Sequence, residues 1–360
     1  MRLIQKNQEG FALIIVLTMI TLLTAVVVEF AYTTRVEVEL TNATRDDLQA
    51  YALAYSGIEI SKSLLLSDLQ EDQEQGAKID FMPSELDPTD ELWAQTQMGG
   101  FETFPITTDE AGEVGVVSVK ITDESGKFYL NGLVKTNGVD VDGNAAEMAS
   151  RLLEALELSP EIVDDIIDWI DSDDIPYGLN SVESPFYASL EKPYESRDAF
   201  MLSVSELQMI HGVDDATWRK LQGQEDENYH KDALGSVYFS AYPRVDNWAI
   251  NVNTAPAMVL QAISPEISPS VAESLIERRQ EEPFKSVSDF SQELANSGIQ
   301  LSGTLASRLA VRSDVFSVRA EGIVHGVSSV MEAILKRGGS SSKSKTGSKS
   351  PIEVLFLRVL

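Results

Sequence analysis

Residues 10–28 read GFALIIVLTMITLLTAVVV, an apolar run without a charge or a proline. Its only polar side chains belong to Thr18, Thr21 and Thr24, whose hydroxyls can bond back to a helix backbone. A helix needs about 20 apolar residues to cross a bilayer core, and about 17 suffice. The sequence therefore predicts a membrane-spanning helix over residues 11–28.

The charges on either side of this run predict its orientation. Arg2 and Lys6 precede it, and Glu29 is the first charge after it. The positive-inside rule then places the N-terminus in the cytoplasm and residues 29–360 outside. The alternative is an ordinary cleaved secretory signal, which requires a small-residue site at the end of the run. Residues 25–27, Ala-Val-Val, match such a site poorly.

The leader and helix together resemble the class III signal of type IV pilins and type II secretion pseudopilins. This resemblance implies that prepilin peptidase cuts residues 1–10 off, between Gly10 and Phe11, and methylates the new N-terminus. It also implies a single-pass protein of the Gram-negative inner membrane whose bulk is periplasmic. The fifth mature residue is Ile15, where most members carry Glu. The K class of minor pseudopilins (general secretion pathway protein K) resembles this chain in lacking that Glu.

Composition restricts the ligands. The chain has no cysteine, so no disulfide supports it. Its 57 acidic and 28 basic residues give a formal net charge of -29. This charge argues against binding to nucleic acid and favours binding of cations, including divalent metals.

A helix is predicted to run on past the membrane, from residue 11 to residue 69. The part beyond residue 29 has no proline and one glycine, Gly57. Helical spacing gives an apolar stripe that we expect to pack on a sheet. The stripe consists of Leu48, Tyr51, Tyr55 and Ile58. The alternative is a membrane anchor joined to a separate soluble helix.

The next region, residues 70–143, is predicted to begin a pilin-like α/β unit. Residues 70–112 are expected to be loops with one short helix near residues 91–95. Alternation over residues 114–135 predicts a hairpin that turns at 123–126.

Residues 144–310 lack alternation and predict successive short helices, an inserted all-α domain. One of these helices is expected to start at Ser159-Pro160, with Ser159 as its N-cap. Residues 311–337 alternate again and predict two strands that complete the antiparallel sheet. Residues 338–360 are predicted to be a flexible tail. The predicted fold class is α+β: a pseudopilin fold with a long N-terminal transmembrane helix on an antiparallel sheet, plus the helical insertion.

Acidic residues concentrate after one predicted helix, in DWIDSDDIPYGLNSVESPFY, residues 168–187. The candidate ligands there are Asp168, Asp171, Asp173, Asp174 and Glu183. Carboxylates at a helix C-terminus repel one another and the helix dipole. A hard cation such as calcium, which takes 6 to 8 oxygen ligands, reverses that balance. The stretch is not an EF-hand, and a solvated acidic loop is the alternative.

The same region carries the resemblance to the K class. It contains Asp168-Trp169-Ile170-Asp171-Ser172-Asp173, then Pro193-Tyr194, Ser205-Glu206-Leu207 and Ile250-Asn251-Val252-Asn253. The resemblance covers residue 10 to about residue 335 and implies binding of one or two calcium ions in this loop. Asp198 stands where that family commonly has Asn, and is a further candidate ligand.

Two other classes of function have little support. Residues 271–290 resemble a helix-hairpin-helix unit, but their cations are interleaved with Glu277, Glu281 and Glu282. We therefore expect no nucleic-acid binding. No nucleophile or phosphate-loop motif is present, and the three histidines lie far apart, so we expect no enzyme.

The residues and the resemblance leave two candidate functions. The first is a minor pseudopilin at the tip of the type II secretion pseudopilus, which initiates or caps filament assembly for export of folded proteins across the outer membrane. Its implied partners are minor pseudopilins of the I and J classes, prepilin peptidase and the inner-membrane assembly platform. The alternative is a minor pilin of a type IV pilus, acting in assembly or adhesion.

Overall fold

The computed structural model describes residues 8–75, 79–82, 91–98, 102–108, 112–224, 235–243, 247–338 and 351–360. The predicted leader lies mostly outside this part of the chain. The long helix α1 spans Gln8–Gln75, six residues further than predicted at its C-terminal end. At 1.5 Å per residue it is about 100 Å long. No break separates its apolar first half from its second half, so the predicted single helix is confirmed.

The apolar half of α1 is long and apolar enough to cross a membrane, by length and composition. Its threonine hydroxyls bond back to the helix as expected. Thr18 donates to the Ile14 carbonyl at 2.9 Å, and Thr24 donates to the Ile20 carbonyl at 2.8 Å. The polar groups inside the run are thus satisfied without water, as a bilayer core requires.

Five antiparallel strands form the sheet, in the order β1-β2-β7-β8-β9. The strands are β1 (Glu102–Thr108), β2 (Gly112–Asp123), β7 (Val315–Val324), β8 (Val327–Arg337) and β9 (Ile352–Val359). The predicted pair at the end of the chain is β7 and β8. His325 and Gly326 join them, both with positive φ, which is the backbone of a tight hairpin turn.

The second half of α1 packs on one face of this sheet, but of the predicted stripe only Ile58 is buried there. Leu48 is 63% exposed, and Tyr51 and Tyr55 are each 46% exposed. The buried stripe consists of Ala50, Ala54, Gly57, Ile58, Ser61, Leu65 and Leu69. The prediction was wrong for Leu48, Tyr51 and Tyr55 because this part of the helix approaches the strands too closely for large side chains. A Cβ on Gly57 would lie 2.7 Å from the Cβ of Ala320.

Two other predictions about the sheet need correction. The region 70–112 was expected to be loops with one short helix, and that helix is α2 (Leu92–Met98). Residues 102–108, however, form the edge strand β1, paired with β2. Residues 338–360 were expected to be a flexible tail, but Ile352–Val359 pairs with β8 as β9. In both cases a distant partner strand supplies the hydrogen bonds, and local composition carries little trace of such pairing.

The predicted hairpin over residues 114–135 is half right. The first strand is β2, and the turn follows it, with the Asp123 carboxylate accepting from the Ser125 and Gly126 backbone. The expected return strand is β3, only Phe128–Tyr129, followed by a 3-10 turn over Leu130–Leu133. All six of these residues are buried, so the segment cannot present one face to solvent as an alternating strand does.

The helical module, residues 144–310, follows this segment. Its helices include α3 (Gly143–Ala155), α4 (Ile162–Ile170), α5 (Ser184–Ala188), α6 (Asp215–Gln222), α7 (Ala257–Ile263), α8 (Pro269–Glu281), α9 (Val287–Asn296) and α10 (Gly303–Ala306), with a 3-10 helix at Val204–Met209. The module is not purely helical. β3 pairs in parallel with β4 (Phe239–Ser240), and β5 (Ile250–Asn251) pairs in parallel with β6 (Leu309–Ala310).

Helix α4 starts later than predicted. Glu161 is its N-cap, and Ser159 lies in the turn before it, accepting from the Glu161 backbone at 3.4 Å. The backbone bonds of Ile162 and Val163 reach back only three residues, to Ser159 and Pro160. Because this tighter turn comes before the first α-helical hydrogen bond, helix α4 begins at Ile162. The buried face of α4 then directs its last acidic residues inward.

Candidate metal centre

The acidic site forms where α4 ends. Asp171 is the C-cap: it adopts an extended backbone, and its N–H still donates to the Ile167 carbonyl at 2.9 Å. Pro176, a few residues on, cannot continue a helix. Asp168, one turn before the cap, is fully buried. The end of α4 therefore holds two carboxylates at the start of the loop.

The loop brings three predicted ligands together. One carboxylate oxygen from each of Asp171, Asp173 and Glu183 lies within 4.8 Å of the other two. Asp171 is 3% exposed and Glu183 is 6% exposed. Glu183 reaches this position because it is the N-cap residue of α5, with an extended backbone. These oxygens are spaced as ligands of one ion would be.

Several of these carboxylate oxygens have no hydrogen-bond partner within the described residues. They are Asp168 Oδ2, Asp171 Oδ1 and both oxygens of Glu183, all buried. The other oxygen of Asp168 accepts from the Tyr177 N–H at 2.8 Å. A buried polar atom left unbonded costs about 1–3 kcal/mol, and more if charged. Oxygen-only ligands of this kind suit a hard cation, so the residues present fit calcium.

The pKa values show the same deficit of positive charge. Burial raises the pKa of Asp171 to about 7, and the charges of Asp173 and Asp168 raise it further. Burial likewise raises the pKa of Glu183 to about 8, with the charges of Asp168 and Asp171 adding to it. Burial is also the main cause of the raised pKa of Asp168. Within the described residues, no Lys or Arg side chain lowers the pKa of these three carboxyl groups.

The other two candidate ligands, Asp198 and Asp174, lie at the edge of the acidic site. Asp198 is exposed, has a left-handed backbone with φ 47°, and accepts a hydrogen bond from Ser196 Oγ at 2.5 Å. Its charge still raises the pKa of both Asp171 and Glu183, so it faces the site. Asp174 is exposed and is not a member of the three-carboxylate cluster.

Sequence reasoning missed a second cluster of carboxylates, formed by Asp68, Asp80 and Glu91. Arg337, fully buried at the end of β8, donates to Asp68 at 2.5 Å and also to Asp80. Burial raises the pKa of Glu91 to about 11, followed in size by the charges of Asp68 and Asp80. Arg337 and a protonated Glu91 therefore offset most of the negative charge of this cluster. These residues lie up to 269 positions apart, and no local motif connects them.

Two other predicted features have internal roles. Arg279, in the segment that resembles helix-hairpin-helix, donates to the carbonyls of Val252 and Ala255 at 2.7 and 2.8 Å. His211 Nδ1 lies 3.1 Å from Asp165 Oδ1, beside the acidic site rather than in it. Both side chains are engaged in contacts that hold the helical module together.

A long apolar N-terminal helix whose second half packs on an antiparallel sheet, together with an inserted helical module, matches the predicted pseudopilin fold. Two family models, both described as type II secretion system protein K, match residues 126–229 and 250–312. Over these two segments the chain is similar to the protein K family of type II secretion systems. This similarity supports a minor pseudopilin, a structural component of the secretion system and not an enzyme.

Individual relatives show the same similarity. Type II secretion system protein K of Pseudomonas aeruginosa is 29% identical over 338 residues, covering 93% of this chain and 90% of that protein. The Klebsiella pneumoniae protein of the same name is 26% identical and covers 86% of each chain. In the crystal structure of the GspK-GspI-GspJ complex from enterotoxigenic Escherichia coli, one chain is similar in fold. Its TM-score is 0.65 at 17% identity, over 89% of this chain and 98% of that one.

In the presence of a chelator, we expect the acidic site to make stability fall as pH rises. Acids whose folded-state pKa exceeds the unfolded value near 4 bind protons more tightly when folded. Their burial is therefore tolerated below about pH 4 and penalised progressively up to about pH 8, through the pKa values of Asp171 and Glu183. The double variant Asp171→Asn/Glu183→Gln should show a smaller fall in melting temperature between pH 5 and 8. Equal slopes for both proteins would contradict the burial of these two charges.

Proposed function

We propose that this chain is the tip subunit of the type II secretion pseudopilus. There it initiates or caps the filament with minor pseudopilins of the I and J classes, for export of folded proteins across the outer membrane. The observation that carries the proposal is the helical module, residues 144–310, inserted between strands β2 and β7 of the pilin-like frame. A module of this bulk on every subunit would obstruct a tightly packed helical fibre, and only an end position accommodates it.

Two features of helix α1 also support a position at the tip of the filament. An ionisable residue inside a bilayer is costly unless it meets a partner. Ile15 stands in the membrane half of α1, where a filament subunit would carry Glu, and cannot offer a carboxylate to a subunit above. Leu48, Tyr51 and Tyr55 remain exposed on the second half of α1. This face is where we place the contacts with the long helices of the other minor pseudopilins.

Mixing the purified soluble domains tests the tip position. We expect a complex with one copy each of the K, I and J class domains, measured as a mass by light scattering. A domain that does not bind those partners, or that forms fibres alone, would refute capping.

Ile15→Glu in the full chain should be tolerated, because a carboxylate there can still approach the amine of its own chain. Tyr51→Ala/Tyr55→Ala should weaken the complex, and Val139→Ala, an exposed apolar residue away from α1, is the matched control.

Maturation is the second part of the proposal. Prepilin peptidase would cut between Gly10 and Phe11 on the cytoplasmic side, leaving Phe11 methylated and residues 29–360 in the periplasm. N-terminal sequencing checks this. Gly10→Val should leave the full-length precursor in the inner membrane, whereas Thr18→Ala, within the span, should be processed normally. Mature-size protein beginning at Phe11 in the Gly10 variant would refute the assignment.

The third part of the proposal is calcium binding at the end of α4. Asp171, Asp173 and Glu183 would supply carboxylate oxygens, with Asp168 and Asp198 close enough to complete the ligand set or to hold a second ion. A bound calcium ion would supply the positive charge that the site lacks. With the ion bound, the carboxylate oxygens that now lack hydrogen-bond partners would be coordinated. The same carboxylates would then hold the loop from Asp171 to Glu183 against α4 and α5.

Removing calcium should lower the melting temperature of a soluble fragment that begins near Thr41. A ligand that binds only the folded state at a hundredfold excess over its Kd stabilises it by about 2.7 kcal/mol. Glu183→Gln should abolish the response to calcium while stabilising the chelated protein, because it removes a buried charge. Asp174→Asn, exposed and outside the cluster, is the control and should respond normally. Identical melting curves in calcium and chelator would rule the site out.

A further inference from the structure

A short turn that precedes α3 is hydrogen-bonded to the acidic loop at the end of α4. The Ser172 N–H donates to the Gly138 carbonyl at 2.9 Å, and Ser172 Oγ donates to the same carbonyl at 3.0 Å. Gly138 belongs to residues 135–140, which we call the Asn137 turn. Both donors of Ser172 are thus used on one carbonyl of a different segment, 34 residues earlier in the chain.

The position of Ser172 makes this contact relevant to the acidic site. Ser172 lies between two of the candidate ligands, Asp171 and Asp173. Asp171 has an extended backbone, with φ -71° and ψ 170°. Successive side chains of an extended backbone point to opposite sides, so Ser172 faces the Asn137 turn while its two neighbours face the cluster with Glu183. The bonds of Ser172 therefore fix the direction in which both carboxylates point.

Hydrogen bonds within the Asn137 turn hold the Gly138 carbonyl in place. Asn137 Oδ1 accepts from the N–H groups of Val139 and Asp140, at 3.2 and 3.0 Å. The Gly138 N–H donates to the Lys135 carbonyl at 2.8 Å, and the Lys135 N–H donates to the Asp140 carbonyl at 2.8 Å. Gly138 has φ 78°, a left-handed backbone that glycine adopts without strain. The acceptor that this turn offers to the acidic loop is therefore fixed by its own bonds.

Both ends of the Asn137 turn are anchored in the core of the helical module. Val134 and Val141 form an isolated antiparallel bridge beside the turn, and Val134 is buried in that core. The Asp142 N–H closes the next pair by donating to the Leu133 carbonyl at 2.8 Å. Asp142 is also the N-cap of α3. The Asn137 turn therefore connects the start of α3 to the loop that follows α4.

We propose that the Asn137 turn positions the calcium ligands of the acidic loop, and that it acts through Ser172. This inference rests on the calcium binding proposed above. Hydrogen bonds behind the ligands of a metal ion orient them, and loss of such a partner typically weakens metal binding about 10- to 100-fold. Helix α4 holds one side of the ligand pair, since the Asp171 N–H donates to the Ile167 carbonyl at 2.9 Å. The Asn137 turn holds the other side, and Ser172 is a positioning residue of the site.

Positioning has a reciprocal consequence for the turn itself. If the bonds of Ser172 favour calcium binding, bound calcium must favour those bonds by the same free energy. The Asn137 turn contains none of the predicted ligands, so this effect reaches it from the acidic loop. We therefore expect calcium to slow hydrogen exchange of the Val139 and Asp140 amides, which donate to Asn137 Oδ1.

Calorimetric titration of the detergent-solubilised full chain with calcium, after removal of bound metal by a chelator and dialysis, tests the positioning. Ser172→Ala removes the Oγ bond and should weaken calcium binding about tenfold. Ser172→Thr keeps the hydroxyl and should bind calcium as the wild type does. Ser274→Ala is the matched control, because Ser274 on α8 is also exposed and its Oγ also donates to a backbone carbonyl, that of Ser270, at 3.0 Å.

Two further measurements separate positioning from a folding defect. In chelator, Ser172→Ala should change the melting temperature no more than Ser274→Ala does. In calcium, the exchange of the Val139 and Asp140 amides should slow in the wild type and in Ser274→Ala, but not in Ser172→Ala. A larger loss of melting temperature in chelator for Ser172→Ala would assign its weaker binding to folding and overturn the positioning role.

The titration distinguishes failure of this inference from failure of the calcium proposal. Calcium binding of unchanged strength in Ser172→Ala, or an equal loss in Ser172→Thr, would refute the positioning and leave calcium binding intact. Calcium binding without slower exchange at the Asn137 turn would refute the coupling between turn and loop. A wild-type chain that does not bind calcium would refute the calcium proposal, and the positioning with it.

Discussion

The close contact between α1 and the sheet is the constraint on which the rest of the structure depends. Its geometry is set by residues without large side chains. A Cβ on Gly322 of β7 would lie 2.1 Å from the Ala50 carbonyl and 2.6 Å from the Ala54 backbone nitrogen. Helix and strand backbones therefore touch, which fixes the direction of α1 relative to the strands. Because α1 is one unbroken helix, the same contact sets how the membrane half leaves the folded domain.

A buried polar network extends that constraint from α1 to the helical module. Arg337 holds Asp68 near the end of α1 and Asp80 in the segment that follows. The Asp80 carboxylate accepts from the Ser313 N–H at 2.8 Å, and Ser313 Oγ donates to Asp123 at 2.7 Å. Asn251, inside the helical module, donates to Ser313 Oγ at 2.8 Å. Helix, sheet and module are thus joined by buried bonds, and a module anchored in this way moves with the helix that carries it.

How much could be read from the sequence depended on the distance between interacting residues. The membrane helix, the β7–β8 pair and most module helices follow local periodicity and caps, such as Asp214, whose side chain accepts from Thr217 N–H. β9, β1 and the pairing of Phe128 with Phe239 depend on partners far along the chain, and were missed. The direction of α1's buried face was also wrong, since apolar size suggested Tyr51 and Tyr55 while the close approach required Ala50 and Ala54.

The candidate site could be predicted for the same reason, because its carboxylates lie close together along the chain, within one loop. Asp171, Asp173 and Glu183 converge as expected because the end of α4 and the start of α5 face each other across thirteen residues. The marginal places of Asp174 and Asp198 depend on loop backbone that the sequence does not specify. Asp68, Asp80 and Glu91 are the same residue types and also have carboxylate oxygens within 4.8 Å of one another, yet Arg337 donates to two of them. A cluster of acids thus indicates a metal only where no basic side chain has entered it.

That comparison separates the two acidic clusters by what each one lacks. The site at the end of α4 has four buried carboxylate oxygens without hydrogen-bond partners among the described residues. In the other cluster, the Arg337 guanidinium donates to Asp68 and Asp80. A buried polar atom without a partner is costly, so the site at the end of α4 carries an uncompensated cost in the isolated chain. A cation bound there would remove this cost, whereas the cluster around Arg337 already contains its own cation.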